Sequence, residues 1–413
     1  MKCRFCAMPL RDVFLDLGTA PPSNAFLAAE ALAQPETWFP LKLFTCGECR
    51  LVQVDEVQNH AALFAPDYAY HSSYSTSWLA HARRYVDTAI ARLHLGPESF
   101  VVEVASNDGY LLQYVQAAGI PCYGVEPTAS TAAAARAKGI AVVDRFFGVA
   151  LADELAAADR QADLIAANNV LAHVPDINDF VGGFTRLLKP HGVATFEFPH
   201  LLRMVEGCQF DTAYHEHYSY LSLTAVQRIF VANGLVVIDV QELPTHGGSL
   251  RVFAARADTV RHPQATPEGA ARVQQLLATE AAAGMLGAGF YCDFQTQAIR
   301  VKRELLTFLL QCQAEGITVG AYGAAAKGNT LLNFAGVRPD LLPYVVDKNP
   351  AKQGQFLPGS HIPVVSEAHL LAHKPQRIFI LPWNLRSEIS LQLGEIREWG
   401  GQFVTAIPRL EVW

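Results

Sequence analysis

Two pairs of closely spaced cysteines near the start of the chain constrain its fold most strongly. Cys3 and Cys6 form one pair and Cys46 and Cys49 the other, each with two intervening residues. This spacing lets one tight turn direct both sulfurs at a single ion, and two such turns supply the four thiolates of a tetrahedral zinc site. Two independent thiol pairs or a redox motif are the alternative, but a redox pair belongs inside a βαβ unit. The sequence therefore predicts a structural Zn²⁺ that stabilises about fifty residues of chain.

The composition of the 413-residue chain indicates a soluble protein with two or three domains. Hydrophobic residues make up 51% of the sequence, and the formal net charge is −7 with no run of Lys or Arg, so we expect no nucleic-acid binding. The longest apolar segments, such as 229–240, are interrupted before they reach the length of a membrane span. No hydrophobic signal region follows the first residues, so we expect a cytoplasmic protein with reduced thiols.

Strands and helices alternate from about residue 99 onward, which predicts an open α/β sheet. Residues 100–105 have the pattern of a buried parallel strand, and a turn and a helix follow. A second strand ends at Glu126, roughly twenty positions after Glu103, where a carboxylate can accept both ribose hydroxyls of an adenosine. Three further strands are predicted over 140–144, 163–168 and 193–198.

The first turn of this sheet resembles the cofactor fingerprint of class I S-adenosylmethionine (SAM)-dependent methyltransferases. One departure is Ala105, where that family usually has glycine, because its methyl group restricts how closely the backbone approaches a ligand. A dinucleotide site is the alternative, but residues 103–109 lack the three glycines of a pyrophosphate-binding turn. The resemblance implies SAM as the cofactor, bound by Glu103, Ala105, Asn107, Asp108, Gly109, Glu126 and Asn168.

A dense group of titratable side chains, Tyr214 to Tyr220, follows the fifth strand. We favour an acid/base cluster, because the imidazole of His217 beside a carboxylate and phenols can titrate near neutrality and transfer a proton. His215 and His217 with a carboxylate could instead bind a metal, and a polar surface strand is a third possibility. His173, beyond the fourth strand, is either a second candidate for proton transfer or a packing residue.

Several of these features together resemble the sugar C-methyltransferases of deoxysugar biosynthesis, and the similarity covers essentially the whole chain. They are the cysteine module, the Ser-Asn-Asp-Gly turn, the His173 segment, the Tyr-His-Glu-His run and the segment 245–251. Such enzymes methylate a ring carbon of a nucleotide-linked 4-keto-deoxysugar. The resemblance implies a zinc-binding module over 1–65, a class I, Rossmann-like methyltransferase domain over 66–288 and a Rossmann-like α/β nucleotide-sugar domain over 289–413.

The same resemblance implies roles for individual residues. His217 is the expected base, and the expected catalytic residues around it are Glu216, Tyr214, His173 and Tyr68. This assignment suits the chemistry, because a carbon acid beside a ketone needs a base for its proton and donors for the developing oxyanion. No metal is required for such a transfer, so the zinc is expected to be architectural.

The C-terminal third is predicted to hold the substrate. Residues 317–330 have the pattern of a strand, a small-residue turn and a helix start, where free amides and Lys327 would form an anion site for a diphosphate. A bound NAD is the alternative, but the glycine spacing does not match the dinucleotide fingerprint.

The candidate substrate-binding residues come from several parts of the chain. They are Tyr70, Tyr74, His246, Gly247, Lys327, Asn329, Asp347 and Trp383.

Two other functions are compatible with the sequence. One is an O- or N-methyltransferase that acts on a nucleotide-sugar, and the other is a non-catalytic regulator that binds a nucleotide-sugar. The sequence leaves the oligomeric state open, as well as the ring carbon, the nucleotide and the stereochemical course.

Overall fold

The computed structural model describes residues 1–55, 71–259 and 261–413. Within these residues the chain forms three β-sheets. Each sheet is built from one continuous part of the chain, except that the first sheet also contains a strand from the middle of the chain. The predictions for Tyr68 and Tyr70 lie outside the described residues. No helix in the described ranges combines the length and the apolar character needed to cross a membrane.

The first sheet is antiparallel and has the strand order β1-β2-β3-β9. Its strands are β1 (Asp12–Ala20), β2 (Phe39–Thr45), β3 (Val52–Val54) and β9 (Ser219–Tyr220). Strand β9 belongs to the middle of the chain and pairs with β3, with Val52 opposite Tyr220. The zinc module is therefore hydrogen-bonded to the segment that carries the predicted base.

The central sheet has the order β10-β11-β8-β7-β4-β5-β6, in which β4 to β8 are parallel and β11 runs antiparallel between β8 and β10. Its strands are β4 (Val101–Val104), β5 (Cys122–Val125), β6 (Val142–Val143), β7 (Ala162–Asn168), β8 (Leu188–Pro199), β10 (Leu235–Leu243) and β11 (Ser249–Arg256). The predicted parallel strands are all present, which confirms the α/β class.

The helices of this region connect and cover the strands. They are α1 (Thr76–Leu93), α2 (Leu112–Ala117), α3 (Ala129–Ala137), α4 (Val149–Ala157), α5 (Ile177–Leu187), α6 (Leu201–Glu206), α7 (Leu223–Ala232) and α8 (Pro267–Ala282). The strand order reverses between β4 and β7, and a sheet of this kind binds ligands at the carboxyl ends of the strands beside such a reversal.

The third sheet has the order β14-β13-β12-β15-β16-β17 and is parallel except at β17. Its strands are β12 (Val319–Tyr322), β13 (Val345–Val346), β14 (Val364–Val365), β15 (Arg377–Ile380), β16 (Gln402–Thr405) and β17 (Glu411–Val412). The associated helices are α9 (Phe294–Ala314), α10 (Ala326–Ala335), α11 (Glu367–His373) and α12 (Arg386–Gln392). The strand, turn and helix predicted over 317–330 are present as β12 and α10.

The N-terminal module shares its hydrophobic cores with both larger domains. Cys3, Cys46 and Cys49 pack in one core with residues of α5 and α7. Phe14 of β1 belongs to another core and stacks on Phe294 of α9, with ring centroids 4.9 Å apart. A segment too small to bury a core of its own thus gains apolar burial from its neighbours.

Candidate active site

The four predicted cysteine ligands converge on one point. The Sγ atoms of Cys3 and Cys49 lie 3.6 Å apart, those of Cys6 and Cys46 3.5 Å apart, and all four lie within 4.8 Å of one another. A tetrahedron of thiolates around Zn²⁺ with Zn–S bonds of about 2.3 Å has S–S edges of about 3.8 Å, so the cluster fits zinc. Gln53, which the sequence did not single out, donates its side-chain amide to the Cys3 sulfur at 3.2 Å.

The turn after β4 has an unusual backbone conformation. Ala105, Asn107 and Gly109 adopt positive φ angles of 58°, 48° and 75°. The left-handed region is costly for alanine, so the chain tolerates backbone strain at Ala105. A Cβ atom on Gly109 would clash with Ile140. The turn therefore follows a tightly defined path.

Glu126 at the end of β5 is anchored to this turn. Its carboxylate accepts hydrogen bonds from the backbone amides of Asn107 and Thr128, both at 2.9 Å. Each carboxylate oxygen can accept more than one hydrogen bond, so capacity remains for ribose hydroxyls. This arrangement fits the adenosine role predicted for Glu126.

Acidic side chains surround the cofactor turn. Glu103 is fully buried, and burial raises its pKa well above the ordinary value, while the hydroxyl of Tyr110 opposes this shift. Tyr110 also interacts with the side chain of Asn168 at the end of β7. Asp108 accepts from the amide of Ser73 at 3.3 Å, and its carboxylate lies 3.5 Å from the ammonium group of Lys138. A site with several carboxylates suits a positively charged sulfonium better than a phosphate, so the residues present fit SAM.

A buried charged network lies next to this site, and the sequence analysis missed it. Glu197 at the end of β8 contacts His81 of α1 at 2.9 Å and forms an ion pair with Arg251 of β11. It also accepts a hydrogen bond from the Thr245 hydroxyl at 3.0 Å. Burial opposes the ionised form, but His81 and Arg251 together hold the pKa of Glu197 below its ordinary value. Arg251 on β11 lies opposite Glu197 on β8. The sequence alone does not give this strand register, so it does not predict the ion pair.

The predicted base lies in a tight turn rather than in a strand. The amide of His217 donates to the carbonyl of Tyr214 at 2.9 Å. Nδ1 of His217 lies 2.9 Å from the carbonyl oxygen of Thr212, and Nε2 lies 2.7 Å from the hydroxyl of Tyr214. The ring of His173 is 4.5 Å away, centroid to centroid. Burial, followed by the nearby His173, lowers the pKa of His217 well below its ordinary value, so the imidazole is neutral at pH 7.

The neighbours of His217 face other parts of the molecule. Glu216 accepts a hydrogen bond at 2.7 Å from Asn24 of the N-terminal module, a residue that the sequence analysis did not select. His215 contacts the carbonyl oxygen of Pro40 at 3.2 Å. Among the described residues, the cysteine cluster is the only group of three or more metal-ligating side chains, so the alternative of a histidine metal site receives no support.

The predicted anion site contains a half-buried lysine, Lys327. The ammonium group of Lys327 donates to Asn384 at 2.7 Å and lies 4.5 Å from the ring centroid of Trp383. Burial lowers the pKa of Lys327, whereas Asp211 raises it. Trp383 donates its indole N–H to Asp211 at 2.8 Å, and burial raises the pKa of Asp211 to about 6. Both Lys327 and His246 depress the pKa of His217, which puts them in its neighbourhood.

The other predicted substrate residues contact different parts of the molecule. A Cβ atom on Gly247 would clash with the Trp383 ring, so these two residues lie in close contact. Asn329 donates its amide to the carbonyl of Ser23 at 2.6 Å and thus binds the N-terminal module. Tyr74 is 68% exposed and contacts the ring of His71. Asp347 accepts from the amides of Ala324 and Asn349, each at 2.8 Å.

Comparison with known families divides the chain into three parts. Residues 3–64 match a zinc binding domain, residues 78–240 match a methyltransferase domain, and residues 244–408 match a C-methyltransferase C-terminal domain. Strand β11 lies beyond residue 244 but is hydrogen-bonded into the central sheet.

Comparison with individual proteins gives one relative that matches over the full length and several solved structures that match over part of the chain. C-methyltransferase NovU of Streptomyces niveus is 34% identical over 414 residues, which cover 100% of this chain and 96% of that relative. Among solved structures, magnesium protoporphyrin IX methyltransferase of Synechocystis PCC 6803 with bound SAM has a TM-score of 0.33 at 16% identity, covering 44% of this chain and 81% of the other. The PH0226 protein of Pyrococcus horikoshii has a TM-score of 0.38 at 12% identity, covering 46% and 95%. The full-length similarity and the three matching domains show that this chain belongs to the family of SAM-dependent C-methyltransferases with a zinc-binding N-terminal domain.

Proposed function

We propose that this C-methyltransferase acts on a nucleotide-linked 4-keto-deoxysugar, with dTDP as the expected nucleotide, in deoxysugar biosynthesis. It removes a proton from the ring carbon beside the ketone and methylates the resulting enolate. The observation that carries this proposal is the neutral, buried imidazole of His217, which is fixed at both ring nitrogens and adjoins a second histidine. O- and N-methylation do not require a base that can ionise a carbon acid.

The hydrogen bonds of His217 suggest how the proton is taken. The carbonyl of Thr212 accepts from Nδ1–H, so Nε2 carries the free lone pair and accepts from the Tyr214 hydroxyl. The substrate C–H must replace this hydroxyl at Nε2. The Tyr214 hydroxyl would then donate to the carbonyl oxygen of the substrate, where negative charge develops. One displacement thus exposes the base and releases a donor for the oxyanion.

The proton balance of the reaction involves only His217. Its Nε2 gains the proton from the ring carbon, and the electron pair of the broken C–H bond passes into the enolate. SAM, when bound, would supply the electrophilic methyl group: the enolate carbon would bond to it as the methyl–sulfur bond breaks, with the electron pair remaining on sulfur and S-adenosylhomocysteine as the leaving group. The imidazolium then loses its proton to solvent, which restores the base. Burial of His217 excludes water from the reacting centre and favours this proton transfer over side reactions.

The C-terminal residues are suited to the nucleotide part of this substrate. Lys327 lies in the first turn of α10, whose N-cap residue Ala325 provides no side-chain cap. Backbone amides at an uncapped helix start and a nearby ammonium group can together bind a diphosphate. Asp347 and Trp383 would flank the nucleotide on the two sides of this helix start.

Deuterium exchange tests the proposal without the methyl donor. In D₂O, the enzyme should wash deuterium into the ring carbon beside the ketone of a dTDP-4-keto-deoxysugar. His217→Asn should abolish this exchange and lower kcat for methyl transfer by at least about 100-fold. SAM binding should persist in this variant, which serves as its own folding control. Methylation without any wash-in would favour an O- or N-methyltransferase, and binding without turnover would favour a regulator.

A further inference from the structure

Trp78 lies between the residues predicted to bind the cofactor and those predicted to bind the substrate. Its ring centroid is 5.9 Å from that of Tyr110, which follows the cofactor turn, with an interplanar angle of 27°. On another side the ring is 5.2 Å from His246, with an angle of 72°. Trp78 is half-buried, so part of the indole surface remains uncovered at the junction of the two sites.

A chain of contacts fixes the orientation of this indole. His81, one turn along α1, stacks on Trp78 with centroids 4.9 Å apart and an angle of 21°. Nε2 of His81 lies 2.9 Å from both carboxylate oxygens of Glu197, which Arg251 also holds. The Ser75 side chain accepts from the Trp78 amide at 3.2 Å and fixes the backbone. A fully buried network with several partners holds its members in one arrangement.

Tyr110, one of the rings beside Trp78, directly follows a turn with buried acidic side chains. The carboxylates of Glu103, Asp108 and Glu126 all belong to the cofactor site and are at most 5% exposed. Asp108 and Glu126 both raise the pKa of Glu103, so their charges act on a common region. The face of an indole attracts a cation within about 6 Å of the ring centroid, and more strongly where water is excluded.

We propose that the indole of Trp78 is the surface against which the sulfonium group of SAM is held, and that His81, Glu197 and Arg251 position this indole. The proposal rests on SAM as the cofactor and adds a residue that distinguishes SAM from the product. S-adenosylhomocysteine carries an uncharged thioether where SAM carries a positive sulfur. An indole that attracts the sulfonium therefore favours SAM over this product and promotes product release.

Binding calorimetry without an acceptor substrate tests this role directly. Dissociation constants for SAM and for S-adenosylhomocysteine are measured with the wild type, Trp78→Phe and Trp78→Leu. Trp78→Leu should weaken SAM binding by about five- to thirty-fold and S-adenosylhomocysteine binding by roughly twofold at most. Trp78→Phe should fall between the wild type and Trp78→Leu for SAM. His81→Ala, which removes the stacked support, should shift the ratio of the two constants in the same direction by a smaller factor.

Trp38 provides the matched control, because it is 37% exposed and belongs to the N-terminal module. Trp38→Leu should leave both dissociation constants unchanged. An equal loss for both ligands in Trp78→Leu, or no loss for either, would overturn the proposal. Because the ratio of the two dissociation constants is taken within one variant, partial unfolding of that variant affects both constants equally and does not change the ratio. The deuterium exchange described above needs no methyl donor, so failure here is distinguishable from failure of the proposed function.

Discussion

The central and C-terminal domains each contain a strand–turn–helix unit with the same hydrogen-bonding plan. In the central unit, the acid that ends the second strand, Glu126, accepts from the first turn through Asn107 and from Thr128 two residues further on. In the C-terminal unit, Asp347 accepts from the first turn through Ala324 and from its own second neighbour, Asn349. All four hydrogen bonds measure between 2.8 and 2.9 Å.

The two units differ in the charges around this shared plan. Buried carboxylates such as Glu103 and Asp108 accompany the central turn. Lysines accompany the C-terminal turn: Lys352 donates to the Ala324 carbonyl at 2.8 Å, and Lys327 lies in the first turn of α10. From this difference in side-chain charge we expect the cationic sulfonium of SAM at the central turn and, under the proposed function, an anionic diphosphate at the C-terminal turn.

The strongest test of this difference replaces each of the two acids, Glu126 and Asp347, by the corresponding amide in a separate variant. Glu126→Gln should weaken SAM binding by about 100-fold, because a neutral amide is a poorer acceptor for ribose hydroxyls and for the turn amide. Asp347→Asn should leave the dissociation constant of SAM unchanged. Calorimetry with SAM on both variants measures the effect, and an equal loss in the two would contradict the separation of the ligands.

The complementary test removes the cation of the C-terminal unit. Lys327→Met should raise KM for the nucleotide-sugar by about 10- to 100-fold, because a charged hydrogen bond to a phosphate is lost. The SAM dissociation constant should stay at the wild-type value. The exposed Lys348 provides the control, since Lys348→Met should change neither quantity. A loss of SAM affinity in Lys327→Met would mean that the two sites are not separate.

Sequence reasoning predicted the local structure correctly where the residues concerned lie close together in the chain. The cysteine pairs, the turn after β4 and the helix start after β12 each lie within a few positions, and local spacing predicts their geometry. It missed residues that act across long separations. Asn24 reaches Glu216, and His81 reaches Glu197, through packing of distant segments. No periodicity encodes such pairs, because they depend on sheet register and on how domains pack together.

The pKa of His217 should depend on the charged groups around it. His217 must be neutral to act as a base, so the acid limb of the kcat/KM profile reports its pKa. After burial, His173 is the next largest cause of the low pKa of His217, and Lys327 contributes in the same direction. His173→Gln should therefore raise this pKa and move the acid limb to higher pH. Measurement of kcat/KM across the acidic range checks the direction, and an unmoved or lowered limb would refute the assignment of the base.

The last comparison concerns stability and not ligand binding, at the first residue of each turn. Ala105 and Gly323 both follow the first strand of their unit in the left-handed region, at φ 58° and φ 91°. Ala105→Gly relieves roughly 1–2 kcal/mol of strain but increases the entropy of the unfolded chain, so the free energy of unfolding should rise by about 1 kcal/mol at most. Gly323→Ala introduces the same backbone strain, and its Cβ atom would also clash with Pro382. The free energy of unfolding should therefore fall by about 2–4 kcal/mol.

Urea unfolding of both variants, with the cysteine cluster loaded with zinc, measures these differences. A stabilised Ala105→Gly together with a destabilised Gly323→Ala would mean that both turns require the same backbone conformation and that the central unit tolerates a side chain there. If Ala105→Gly were instead destabilised by more than about 1 kcal/mol, the Ala105 methyl group would contribute packing that outweighs its backbone strain. The turn would then be adapted to alanine, and the equivalence of the two units would end at the hydrogen bonds of Glu126 and Asp347.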